Sequence, residues 1–143
     1  MAFEISVFLK NKITHFEEVT NALKKENINI SSMTLMNIYQ GWGVVKLLVN
    51  QPEKAYQILS DRGDSVSLRE ILALEMKDST GGLDELLVQV ARAGIHMESA
   101  YTRLISGSNK AVLILEVPDV IEAKKRLERK GVKLLNDETV YGR

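Results

Sequence analysis

One phrase plan runs through this chain twice. Sliding the sequence against itself by 67 residues sets Phe16 opposite Leu83, Val19 opposite Leu86, Leu23 opposite Val90, Ile28 opposite Ile95 and Ser32 opposite Ser99. Further on the offset becomes 68, matching Val44 with Val112, Leu47 with Leu115, Ala55 with Ala123, Leu59 with Leu127 and Gly63 with Gly131. One residue has entered the second copy's hairpin. A repeat of that length in 143 residues leaves room for two small units of one plan, residues 1–69 and 70–143, and for little else.

The plan is strand, helix, strand, strand, helix, strand. Phe3, Ile5, Val7 and Leu9 alternate as in a strand buried on one face. Phe16, Val19 and Leu23 then recur at helical spacing, with Thr14 as the expected cap and Glu17 three residues on. Two strands, 28–39 and 42–49, flank the hairpin turn Gln40-Gly41, and a helix opens at Pro52 and stops near Gly63. The second copy is expected to place strands at 71–76, 95–105, 111–117 and 132–135 and helices at 83–93 and 119–130. Here Pro118-Asp119 opens the last helix and Gly131 closes it. The fold class expected is α+β, two ferredoxin-like βαββαβ units with antiparallel sheets and helices on one face. The other sheet face must meet a partner or water, and edge-to-edge joining of units would remove exposed edges. Between the copies, "DSVSLREILALEM" contains no flexible linker, so packed units are expected.

Composition narrows the function classes. Nineteen basic residues balance nineteen acidic ones, so no net field draws the chain to nucleic acid or to an anionic membrane. Without cysteine there is no disulfide, no thiolate catalysis and no cysteine-held zinc, copper or iron–sulfur site. No stretch approaches the roughly twenty apolar residues of a membrane span, and a cytoplasmic protein is expected. His15, in a first helical turn, reads as solvated. Two histidines in different contexts make no metal site, and Glu17-Glu18 and Asp84-Glu85 read as acids complementing helix dipoles rather than as a catalytic pair. Trp42 in "QGWG" must cover something, and packing is favoured over a ligand contact. The basic run at 122–133 reads as the solvated face of a helix whose buried face is Val120, Ala123 and Leu127.

The stretches "ALKKENINIS", "VARAGIHMES" and "DSTGGLDELL" resemble the ACT domain, the small-molecule-sensing module attached to many amino-acid biosynthetic enzymes. From about Phe3 to Leu135 the chain looks like a free-standing tandem ACT protein. That resemblance implies a non-catalytic sensor that binds an amino acid between units, as a homodimer and with a possible biosynthetic enzyme partner, needing no cofactor. It places ligand contacts in the turn after each unit's first strand, Asn11, Lys12 and Thr14 in one copy and Asp78, Thr80 and Gly81 in the other. It also places them at the start of the second strand, on Asn29 and His96. The family's Pro-Gly is replaced at Ile13 and Thr80, and its glycine persists only as Gly81, beside Gly82.

The chemistry of an amino acid fits such a turn. Its carboxylate needs donors, which the backbone amides of Gly81, Gly82 and Leu83 at a helix N-terminus would supply. Its ammonium needs acceptors, for which Asp78, Asn11 or a strand carbonyl serve, while Asn29 offers both functions. Asn29 also reads as an outward polar strand position, and His96 as a surface histidine. Two competing functions remain: an assembly subunit of a biosynthetic enzyme with no ligand of its own, and a small glyoxalase-like enzyme, for which the two histidines fall short of a metal site.

Overall fold

The structure, a computed structural model, describes residues 1–10, 12–105 and 108–141, without the side chain of Lys12. In chain order the elements are β1 (Ala2–Leu9), α1 (Lys12–Lys25), β2 (Ile30–Tyr39), β3 (Trp42–Val49), α2 (Pro52–Asp61), β4 (Val66–Lys77), α3 (Gly82–Arg92), β5 (Ser99–Leu104), β6 (Lys110–Glu116), α4 (Val120–Arg129) and α5 (Asp137–Tyr141). Two compact units result, residues 3–69 with Tyr141, and residues 70–140 with Met1–Ala2. The division falls inside β4, because the expected closing strand of one copy and opening strand of the next form a single strand.

In the first unit β3 lies between β1 and β2, all antiparallel, with Leu47 opposite both Ile5 and Met33. Period-two alternation sends Ile5, Val7, Leu9, Val45 and Leu47 to one face. There α1 contributes Val19 and Leu23 and α2 contributes Ala55 and Leu59 to a closed apolar core. The second unit repeats this with β6 between β4 and β5. Its core joins Leu72, Leu74, Leu113 and Leu115 to Leu86, Val90, Ala123 and Leu127. Both helix–strand joints leave α1 and α3 through a left-handed residue, Asn27 in one copy and Gly94 in the other. These are two residue types that tolerate that conformation, and Ile28 and Ile95 then return their N–H to Leu23 and Val90.

Three local expectations are corrected. Helix α1 starts at Lys12, so Thr14 lies inside the first turn rather than capping it. The expected last strand shrinks to one bridge, Leu74 to Leu134, because Asn136 ends it two residues later: its Oδ1 accepts the Thr139 N–H at 2.9 Å and starts α5. That helix was missed. Its buried end is held by the Arg103 guanidinium, which donates to the Val140 carbonyl at 2.6 Å, and by Tyr141, whose hydroxyl accepts the Phe3 N–H at 2.7 Å.

Candidate functional site

The second turn, 78–81, joins the end of β4 to α3. Asp78 donates its N–H to the Asn109 carbonyl at 2.9 Å and leaves its carboxylate exposed, as is Thr80. Gly81 precedes the helix with φ 85°, a left-handed conformation that glycine adopts without cost. Its carbonyl accepts the Glu85 N–H at 3.0 Å. Gly82 has a different role from the one expected. Its N–H donates to Ser79 at 3.0 Å, and a Cβ built on it would stand 2.1 Å from the Lys77 carbonyl oxygen. The helix start thus lies directly against the strand end. Of the three expected donors, Gly81 and Leu83 keep amides without an acceptor among the described residues, and the Leu83 side chain is exposed.

Beside this turn lies a cleft of about 500 Å³ lined by Glu75, Lys77, Ser79, Asn109, Lys110 and Lys133, among others. The Glu75 carboxylate accepts from Lys110 at 2.9 Å and from Lys133 at 3.0 Å. The hydrogen bond from Lys110, then that from Lys133, holds its carboxyl below the ordinary value of 4.5. A depressed carboxylate contributes stability that is fully present above the unfolded value and is lost as pH falls through the folded one. Glu75→Gln is therefore expected to be slightly less stable than the native chain at neutral pH. Urea titrations should show the two converging as pH falls below the ordinary carboxylate value and through the lowered folded one.

The first turn carries the corresponding cleft, also about 500 Å³, lined by Phe8, Lys10, Thr14, His15, Arg62 and Asp64 among others. Here His15 is not solvated. Its Nδ1 accepts the Lys10 N–H at 3.0 Å, and its Nε2 lies 2.6 Å from Asp64 Oδ1. Because a backbone N–H can only donate, Nδ1 is the acceptor and Nε2–H donates to the carboxylate. Arg62 Nε donates to the other Asp64 oxygen at 3.0 Å, and its Nη2 lies 3.5 Å from Glu18. At the offset of 67, His15 stands where the second copy has Gly82, so an imidazole and its carboxylate line the first cleft. Thr14 is exposed on its rim. Asn11 and the side chain of Lys12 lie outside the described residues.

Asn29 and His96 lie just ahead of β2 and β5 rather than within them. The Asn29 N–H donates to Asn50 Oδ1 at 3.0 Å, the Asn50 N–H returns to the Asn29 carbonyl at 3.2 Å, and Asn29 is exposed. His96 is exposed on a smaller cleft of about 280 Å³ beside Pro118, Asp119 and Glu122, where Arg126 donates to the Gly94 carbonyl at 3.1 Å. In each unit the turn and the strand start sit at opposite ends of one helix, of 14 residues in α1 and 11 in α3. At 1.5 Å per residue that is roughly 16–21 Å. Neither unit alone brings Thr14 to Asn29, or Gly81 to His96. Trp42 packs on Phe8 with ring centroids 5.3 Å apart. Among the described residues no three His, Cys, Asp or Glu gather as a metal site, and no helix is long and apolar enough to cross a membrane.

No curated protein matches the chain. Among solved structures, protein BT0572 from Bacteroides thetaiotaomicron is 28% identical, with a TM-score of 0.87 over 98% of this chain and 95% of its own. The regulatory subunit of aspartate kinase from Thermus thermophilus, solved ligand-free, is 14% identical with a TM-score of 0.60 over 90% of this chain and 91% of its own. Its counterpart from Thermus flavus is 12% identical with a TM-score of 0.57 over 90% and 92%. These last two share the fold. The repeated strand–helix plan of the two units agrees with the family match itself, ACT domain pair over residues 1–141, and on that match the chain belongs to the ACT domain pair family.

Proposed function

We propose that this chain is a non-catalytic regulatory protein that binds an amino acid between ACT units. The reading is carried by the second turn, where Gly81 has open space beside its backbone and the Gly81 and Leu83 amides are available at the start of α3. A helix N-terminus with free amides favours a carboxylate, Asp78 offers an acceptor for the ammonium, and Asn29 or His96 of a neighbouring unit completes the site. Sharing a fold with aspartate kinase regulatory subunits supports a role exerted on a catalytic partner. Binding that favours one packing of the units would pass to that partner as linkage.

A thermal-shift screen against the twenty amino acids at millimolar concentration tests this directly. A ligand at 100 times its dissociation constant adds about 2.7 kcal/mol, so one or two amino acids should raise the melting temperature by several degrees. Gly81→Val has open space around its new Cβ but strains the left-handed backbone; with its fold checked by circular dichroism, it is expected to weaken that ligand at least about tenfold. Silence with all twenty would favour the second reading, an assembly subunit without a ligand. One observation supports that alternative: where the second copy has Gly82, the first has His15, bonded to Asp64.

A further inference from the structure

Three lysines converge at one end of the second unit's sheet. In the register of β4 against β6, Lys77 stands directly opposite Lys110. Opposed residues of an antiparallel pair share a face, and like charges there repel. On the other side of β4, the Glu75 N–H donates to the Lys133 carbonyl at 3.0 Å, which sets a third lysine beside the first two. Glu75 takes two of the ammonium groups, Lys110 at 2.9 Å and Lys133 at 3.0 Å. Lys77 has no acidic partner among the described residues. The cleft of about 500 Å³ at this end is therefore lined, among the described residues, by three cations and one anion, with Ser79 and Asn109 as neutral donors. The whole chain balances nineteen basic residues against nineteen acidic ones, so the excess is local.

The repeat supplies the control. At the same offsets Glu75 answers to Phe8, Lys110 to Trp42 and Lys133 to Ser65, and the strand contact is the same, since the Phe8 N–H donates to the Ser65 carbonyl at 3.0 Å. Phe8 packs on Trp42 where the second copy has its ion pair. The fold thus closes this end of a sheet without charge at those three positions. The first cleft, of equal size, sets Lys10 and Arg62 against Glu18 and Asp64. What the second copy adds is cationic charge, and with it cross-strand repulsion.

We propose that this cleft of the second unit binds the phosphate group of a small phosphorylated molecule. A phosphate monoester carries about −1.5 to −2 charges at neutral pH, which matches the excess of cations over anions in the lining. Lysine ammonium groups hold phosphate as point charges, and the Ser79 hydroxyl and the Asn109 amide add directional donors. A phosphate between Lys77 and Lys110 turns their mutual repulsion into attraction to a common anion. The Glu75 carboxylate, bonded to two ammonium groups, fixes where they stand. A cleft of this volume also leaves room for the organic part of the ligand. An amino acid, zwitterionic at neutral pH, does not answer this charge excess, so the proposal does not rest on the amino-acid reading, and a silent amino-acid screen leaves it untouched.

Amide NMR titrations of the native chain at low ionic strength test it, with glycerol 3-phosphate as the monoester, inorganic phosphate as the free group and succinate as a dicarboxylate control. Saturable shifts at Lys77, Ser79, Asn109 and Lys110 are expected, with a dissociation constant below about 1 mM. Tighter binding of the monoester would show that the organic part is also read, and equal binding that the phosphate group alone is. Lys77→Gln is expected to weaken the phosphate probe at least about tenfold. Its counterpart in the first cleft, Lys10→Gln, should leave that binding unchanged. Both positions are exposed, so circular dichroism should show an intact fold in each. No saturable shift with either phosphate probe up to about 10 mM, succinate binding as tightly as phosphate, or equal weakening by Lys10→Gln would overturn the proposal.

Discussion

Gly82→Ala is expected to cost at least about 3 kcal/mol, the upper end of what overpacking does, and so to lower the melting temperature by roughly 10 °C in a chain of this size. The added methyl would meet the Lys77 carbonyl oxygen at 2.1 Å, and that oxygen belongs to the last residue of β4. Backbone cannot swing aside as a long side chain would, so either α3 lifts from the strand end or the Ser79 turn opens. The Gly82 N–H bond to Ser79 would strain with it. Gly81→Ala is the control. It has the positive φ but nothing within 4 Å of its Cβ, so its expected cost is only about 1 kcal/mol. Equal losses in the two variants, measured by urea denaturation, would mean that the close approach of helix and strand does not govern this turn.

That contrast shows where sequence stops being informative. The glycine pair at 81–82 is visible in the chain, as are the Pro118-Asp119 opening of α4, confirmed by Asp119 Oδ1 accepting the Glu122 N–H at 3.0 Å, and the Gln40-Gly41 hairpin closed by Tyr39 opposite Trp42. Each depends on a few neighbouring residues. What the two glycines do separately depends on Lys77 and Ser79 coming back against the helix, which spacing does not disclose. The α5 helix had a readable signal, since Asn136 followed by Asp137 and Glu138 is a helix start; it was masked by the apolar alternation just before it. His15 had none, because its partner Asp64 is 49 residues away and only the return of the chain after α2 brings the two together.

Asp64→Ala carries the largest expected effect in the first unit, about 2–3 kcal/mol, because it strips partners from two donors at once. The Asp64 side chain is only 6% exposed, and it accepts from His15 Nε2 at 2.6 Å and from Arg62 Nε at 3.0 Å. With the carboxylate gone, the imidazole keeps the Lys10 N–H on one nitrogen and has no acceptor for the proton on the other, while Arg62 retains Glu18. A double-mutant cycle with His15→Ala separates the shared part: a coupling of about 1–2 kcal/mol is expected for two groups in direct contact, and none if His15 only fills space. The outcome bears on function through the repeat. If the pair is coupled, His15 is held by Asp64 as a structural element of the first cleft's wall, in the place where the second copy has Gly82. Zero coupling would mean that His15 is not fixed by its carboxylate, and the difference between the two turns would rest on the bulk of the imidazole alone.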